Sequence, residues 1–317
     1  MFAKQITPNF DGTLPVVITI YKSTRQVPHY HNDTIETVMC LRGSATVYNM
    51  HEKHILHAGD IIQTDMFDTH SVTSDEENLM VSFHFNLNHP LFSGKGYNLL
   101  YYICSSNDTD PKRLHHINRI RMLLLALLSC YINDNCDPRI TDFSEKILGI
   151  IRKHFQYYNH INVDEEMYPP EMMDRFERIM AYMLEHYAEK ITMHDICEQE
   201  HISYNYLSRF FKESSLKTFR NFLHEIRVYH SEHLLLCHPD IPVPDIGYQV
   251  GFSDPKFFYR EFKKKHGHTP HQHRIWYRRY NENTAPDIIL DTGEHIDEIE
   301  DCVAELFSHI TYEIECR

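Results

Sequence analysis

The spacing of hydrophobic positions changes along the chain, and each change predicts a different kind of element. Up to residue 87 they come in short runs, 16–21, 37–41, 45–48, 61–62 and 80–85, rich in β-branched and aromatic residues. Gly43, Gly59 and polar clusters such as Asn32-Asp33 and Ser74-Asp75 break these runs. Many short strands at close spacing predict a β-barrel or sandwich. From 88 to 165 the period lengthens. Leu114, Ile117, Ile120, Leu124, Leu127 and Leu128 form one apolar stripe, and Phe143, Ile147, Ile150, Ile151, Phe155 and Tyr158 a second, which predicts two antiparallel helices. An acidic run ending in two prolines makes 159–170 the linker candidate. Helical spacing returns after 173, and again in the tail at Ile296, Ile299, Val303, Leu306, Phe307, Ile310 and Ile314.

Within the third region two short stretches repeat one design. Ser203-Tyr-Asn-Tyr-Leu-Ser-Arg-Phe-Phe-Lys212 and Ser253-Asp-Pro-Lys-Phe-Phe-Tyr-Arg-Glu-Phe-Lys-Lys-Lys265 each open on a serine suited to a helix N-cap. Each carries an apolar spine, and each shows Arg and Lys on the other face. Thr192-Met-His-Asp195 has capping-box spacing, and Pro242-Val-Pro-Asp245 suits a first helical turn. Two tandem helix-turn-helix units follow. The stretch from Thr218 to Cys237 between them predicts a helix of about 27–30 Å, which would place two recognition helices near one duplex turn apart.

These residues carry a resemblance. Tyr206-Leu-Ser-Arg-Phe-Phe-Lys212, Val250-Gly-Phe-Ser-Asp254, Phe258-Tyr-Arg-Glu-Phe-Lys-Lys264 and His266-Gly-His-Thr-Pro270 followed by Arg274 are similar to the DNA-binding domain of AraC-family transcription regulators. The resemblance covers about a third of the chain and implies seven helices. It also implies a DNA interface of Asn205, Tyr206, Ser208 and Arg209 in the first unit and Lys256, Tyr259, Arg260, Lys263 and Lys264 in the second. Arg at such a position most often reads guanine. The chain departs from the family pattern at His201, where Gly is usual, at Glu200, where an apolar residue is usual, at Leu216, where Gly is usual, and at Gly247, where Ala is usual.

Charge changes the picture only when divided. The whole chain is at −14. Residues 1–170 carry −5, 171–280 carry +1 and 281–317 carry −10, while 256–279 alone reach +7. DNA affinity follows the local field, so an acidic protein with a basic patch remains a DNA-binding candidate. The acidic tail has two readings: an amphipathic helix docked on its own chain, or a competitor with DNA for the +7 surface. Eight scattered cysteines predict free thiols in a reducing cytosol. No apolar run is long enough for a membrane span and no signal segment opens the chain, so the expected location is cytoplasmic.

One constellation in the strand-rich region carries chemistry. His29-x-His31-x4-Glu36-x6-Gly43 is followed by Gly59 and His70. The set resembles the metal motif of cupin barrels; imidazoles with one carboxylate suit Fe, Mn, Ni or Zn. Asp65 and Phe67 stand where cupins show Pro and Gly, so the second half of the motif is degraded. The expectation is therefore no cofactor, with a divalent metal as the alternative occupant, and an effector pocket formed by His29, His31, Glu36, His70, Tyr21 and Tyr48. Phe83 offers a further apolar face, and the other histidines, His51, His54 and His57 among them, are expected at the surface.

The fold expected is α+β: an N-terminal cupin-like β-barrel at 1–87, a helical pair at 88–165, a C-terminal all-α domain with two helix-turn-helix units at 171–280, and an acidic tail at 281–317. The function expected is a ligand-responsive transcription regulator, not an enzyme. It would bind double-stranded DNA as a homodimer through the helical pair, with a carbohydrate-like effector in the barrel and RNA polymerase as a further partner. A metal-dependent cupin enzyme fused to a DNA-binding domain is the alternative.

Overall fold

A computed structural model describes residues 3–10, 13–49, 52–66, 68–93, 102, 104–155, 170–215, 218–280, 287–291 and 294–315. Phe67, His51, Leu216, most of the linker candidate 159–170 and the side chains of Tyr158 and Ile314 lie outside what is described. The chain divides into two compact units, one of Ala3–Gln156 with Asn283–Arg317, the other centred on Tyr157–Glu282. The acidic tail thus belongs with the strand-rich region, on the far side in sequence of the helical domain.

The first unit holds two five-stranded sheets. In chain order the strands are β1 Lys4–Gln5, β2 Val16–Lys22, β3 His29–Tyr30, β4 Thr34–Arg42, β5 Ser44–Asn49, β6 Glu52–His57, β7 Ile61–Thr64, β8 His70–Thr73, β9 Leu79–Asn86 and β10 Ile288–Ile289. One sheet runs β1-β3-β8-β5-β6 and the other β10-β2-β9-β4-β7. Register sorts the side chains. Glu36 lies opposite His84 and Thr64, Val38 opposite Ser82 and Ile62, and His70 opposite His29 and Asn49. Because side chains alternate along a strand, these residues share the interior face. One end of the interior is apolar, with Tyr21, Val38, Cys40, Val47, Ile62, Val72 and Met80 in one buried cluster. The other end is polar and carries the histidines.

The outer face of β4 is buried as well, so its second half, Val38-Met-Cys-Leu41, runs apolar without alternation. Helices α1 (Pro111–Asn133) and α2 (Arg139–His154) pack on each other, and the tail helix, labelled α10 (Ile296–Glu315), packs on α1 and β4. Arg121 on α1 donates to the Gly59 carbonyl at 2.6 Å and to Asn118 at 2.9 Å, fixing α1 at the turn between β6 and β7. The apolar stripes of α1 and α2 are spent on these contacts: Ile120, Leu124, Leu128, Ile147 and Ile151 are buried. In the tail, β10 pairs antiparallel with β2, Gln26 donates to Asp287 at 2.7 Å, and Arg42 meets Glu298 at 2.6 Å.

The second unit is helical among its described residues: α3 Pro170–His186, α4 Met193–Glu200, α5 Tyr204–Ser215, α6 Phe219–Cys237, α7 Val243–Gln249, α8 Pro255–His266 and α9 Pro270–Tyr280. Thr192 and Asp195 form the reciprocal capping box that starts α4. His201 ends α4 in the left-handed region at φ 54, which an imidazole tolerates better than a branched side chain does. Ser203 caps α5 through the Tyr206 N–H at 3.3 Å. The second recognition helix differs from expectation: its cap is Asp254, which accepts from the Lys256 N–H at 2.8 Å, and not Ser253. A carboxylate at the N-terminus also matches the helix dipole. Gly251 stands at φ +91, and a Cβ there would come 2.8 Å from the Tyr187 and Ala188 carbonyls. Two further departures, at Glu200 and Gly247, are compensated. Glu200 takes a forked pair of hydrogen bonds from Arg178 at 3.0 and 2.7 Å, and the space a Cβ would take at Gly247 is filled by the Phe258 ring.

Candidate functional site

The barrel brings His29, His31, Glu36 and His70 together, with one ligand atom from each lying within 4.8 Å of all the others. The four side chains come from β3 and the loop after it, from β4 and from β8, and all are buried. The outer nitrogen of each imidazole faces a backbone carbonyl: His29 Nδ1 faces Val27 at 3.1 Å, His31 Nδ1 faces Ile6 at 2.6 Å and His70 Nδ1 faces Asp68 at 2.9 Å. A carbonyl only accepts, so each Nδ1 carries the proton, and in the neutral ring Nε2 carries a lone pair. The Nε2 atoms of His31 and His70 face Glu36 Oε2, at 3.1 and 2.6 Å. The His70 approach is short yet off the axis of a ring N–H, leaving that buried nitrogen without an in-line hydrogen bond. Lone pairs aimed at a carboxylate repel, so these contacts call for positive charge among them, from a second ring proton or from a bound cation. Three imidazoles oriented through Nδ1, plus one carboxylate, are the donor set and outer support that a divalent transition metal takes.

The electrostatics point to a second source of that charge, protonation of a ring beside the carboxylate. Burial disfavours charge on Glu36, but His70 and His84 outweigh it and hold the carboxyl well below its usual range. Burial likewise opposes charge on His70, and the Glu36 charge overcomes it and raises the imidazole. Burial, with His70 beside it, lowers His29 far below its ordinary value. His84 is the member that sequence reasoning missed. It lies on β9 with Nε2 3.5 Å from Glu36 Oε1, and burial pushes it down to about 4. The alternation of Met80, Ser82 and His84 along one face of the 80–85 strand was the available signal.

The other barrel candidates sit elsewhere. Tyr21 faces the interior, but its ring belongs to the apolar cluster and its hydroxyl takes a 3.2 Å hydrogen bond from Ser82. Tyr48 pairs with Ser71, one position out of step with Asn49 and His70, so it points to the other face of the sheet. The same alternation turns Phe83 away from His84. Asn49 Oδ1 and Thr64 Oγ1, cross-strand neighbours of His70 and Glu36, are buried without hydrogen-bond partners. The expectation that the remaining histidines are superficial is corrected. His266 and His273 are buried against Glu232, at 3.5 and 3.1 Å, because α6, α8 and α9 close over them.

In the helical domain Asn205 and Arg209 are exposed on α5, and Lys256, Arg260, Lys263 and Lys264 on α8. Ser208 is half-buried. Two predicted contacts face inward instead. Tyr206 takes a 3.1 Å hydrogen bond from Arg175, and Tyr259 packs on the core around Val228 and Phe258. Arg260 lies 4.9 Å over the Phe257 ring and forks onto Glu261 at 3.0 and 2.8 Å.

Comparison with known proteins agrees with both halves. A family model described as a helix-turn-helix domain matches residues 196–275, and one described as a cupin domain matches 16–84. The chain is 26% identical over 286 residues to the uncharacterized HTH-type transcriptional regulator YdeC of Bacillus subtilis, covering 84% of this chain and 94% of that protein. It is 22% identical over 285 residues to the regulator SAR0107 of Staphylococcus aureus, where it covers 86% of this chain but spans only 37% of the relative's length. A solved structure of ToxT from Vibrio cholerae aligns over 82% of this chain and 98% of its own, at 19% identity and a TM-score of 0.42. No helix among the described residues is long and apolar enough to cross a membrane.

Proposed function

Because the chain belongs to the AraC-type family of DNA-binding transcription regulators, with a cupin domain at its N-terminus, we propose that its DNA binding is set by what occupies the buried His29–His31–Glu36–His70 cluster. Asn205, Ser208 and Arg209 of one unit, with Lys256 and Arg260 of the other, read base edges in this proposal, and Lys263 and Lys264 hold phosphates. Two copies of the chain would read paired half-sites, and contact with RNA polymerase would follow from such placement.

The observation that carries the sensing half is the size and polarity of the cluster. Donor atoms within 4.8 Å of one another enclose an ion, not a monosaccharide. We therefore assign the cluster to a divalent transition metal, in departure from the expectation of a metal-free site. The ion would be held by His29, His31, Glu36 and His70 and would supply positive charge at the inward nitrogens in place of a second ring proton. Asn49 and Thr64 stand beside it with unused polar atoms, suited to the hydroxyls of a small oxygen-rich effector such as a sugar or sugar derivative. The relatives' names as regulators favour this reading over a cupin enzyme.

Metal analysis tests it. Protein stripped with chelator and titrated with Mn, Fe, Co, Ni or Zn should take up about one ion per chain, with a rise in melting temperature. His29→Ala and His70→Ala should abolish both. If none of these ions binds stoichiometrically or shifts the melting temperature, the cluster is a structural hydrogen-bonded group and the assignment fails.

A further inference from the structure

The helical domain contains a cleft of about 1350 Å³ that the reading of its recognition helices leaves unused. Its walls come from both helix-turn-helix units: Tyr204, Ser208 and Lys212 on α5, Ser253 and Phe257 at the start of α8, and the first half of α6. The cleft therefore lies between the two recognition helices. Its lining includes Lys190, Lys212, Arg220 and Arg227 against a single acid, Glu189. Arg227 is committed to the Tyr187 and Glu189 carbonyls at 2.8 Å each, which fixes the turn before α4. Lys190, Lys212 and Arg220 are exposed. Burial lowers the pKa of His224 in the cleft wall, and Arg220, Arg227 and Arg260 lower it further against the pull of Glu261. Three partly exposed aromatics, Tyr204, Tyr248 and Phe257, stand at the mouth.

Two recognition helices that enter successive major grooves on one face of a duplex must straddle the sugar-phosphate backbone between them. Whatever protein surface lies between the helices meets phosphates and deoxyriboses there. A surface of spare cations and aromatic rings complements that strand, whereas an acidic peptide would gain little from the rings' spacing between two DNA-reading helices. We propose that this cleft clamps the DNA backbone between the two major-groove entries, with Lys190, Lys212 and Arg220 on the phosphates and the aromatic mouth against the sugars. The proposal rests on the DNA-binding reading above and adds to it a central contact that carries affinity without base specificity. Arg260, stacked on Phe257, joins the clamp to the base-reading face.

The test uses the full chain and a duplex selected from a random pool by binding to it. Lys190→Ala and Arg220→Ala should each lower the slope of log affinity against log salt by about 0.9, which is about eightfold in affinity near 0.1 M salt. The preference for the selected duplex over random sequence should stay as in the parent. Lys146→Ala, on α2 and paired with Asp142, controls for net charge and should change nothing. Uncharged methylphosphonate linkages placed midway between the two footprints should then weaken the parent chain but not the Lys190→Ala/Arg220→Ala double variant. Unchanged salt slopes in variants that keep specific binding overturn the clamp and leave the regulator reading intact, as does equal sensitivity of parent and double variant to the neutral linkages. Failure of the parent chain to select any duplex overturns both.

Discussion

Ile310→Ala separates a docked tail from a free one. Ile310 is fully buried in the last turns of α10, in line with Ile299, Val303 and Leu306, while the exposed face of the helix carries its acids. Leu306 also sits against the Gly59 turn that Arg121 fixes. Removing the side chain at 310 deletes buried methyl groups in a place where α1 and β4 already hold their positions, so the gap will not fully close. Such truncations cost roughly 2–5 kcal/mol. For a unit of this size each kcal/mol moves the melting temperature by about 2–4 °C, so a fall on the order of 5–15 °C is expected. The chain has two compact units, and calorimetry should be read as two transitions, of which the substitution should move that of the barrel unit alone. Ser308→Ala, exposed on the same helix, should stay within about 0.5 kcal/mol of the parent. A tail that competes with DNA for the basic surface makes the opposite demand: Ile310→Ala would leave both transitions where they are, and deleting 284–317 would tighten low-salt DNA binding without loss of barrel stability. Either result would refute the docked tail.

Three further outcomes follow from single groups. Asp287 is held up to about 6 by burial, against the hydrogen bonds from Ser23 and Gln26, so the folded chain binds its proton more tightly than the unfolded chain does. Stability from this group therefore falls as pH rises from about 4 to about 6, and Asp287→Asn should be more stable than the parent at pH 7.5 but not at pH 4.5 in thermal melts; parallel pH profiles would contradict this. Gly251→Ala should cost at least about 1–2 kcal/mol from left-handed backbone alone, with the carbonyl clash added, seen as a lower melting temperature for the helical domain and weaker DNA binding. Arg260→Ala should lose roughly 1–3 kcal/mol for the selected duplex and relax one base position, while Lys263→Ala should weaken all sequences alike; a parent-like ratio of specific to random binding in Arg260→Ala would remove it from base readout.

How far the sequence could be read depended on whether a feature was local. The two helix-turn-helix units were legible because caps, turns and apolar spines repeat within a dozen residues of each other, and the AraC resemblance added the tertiary arrangement. The exceptions are local too. Ser253 and Asp254 are both good caps, and spacing by itself did not say which carboxyl or hydroxyl reaches the Lys256 N–H. The tail's amphipathic period was plain, but its destination was not: β10 is two residues long, and nothing in Ile288-Ile289 announces that it pairs with Lys22 and Tyr21 across the whole helical domain.

The barrel site shows where the limit lies. The spacing of His29, His31, Glu36 and His70 named four groups, and their number could not decide between an ion and a sugar. That choice turns on two things the chain does not write down. One is the set of carbonyls of Ile6, Val27 and Asp68, which fix every Nδ1 proton outward. The other is register. With His70 opposite Asn49, the strand β5 turns Tyr48 to the outside, and with Glu36 opposite His84, the strand β9 turns Phe83 out and a fourth imidazole in. A shift of one residue would bring Tyr48 inward in place of Asn49 on β5, or Phe83 in place of His84 on β9, and give a site suited to stacking on a carbohydrate. The observed register leaves a buried carboxylate ringed by imidazoles, and a group of that charge and size favours the proposed cation over anything larger.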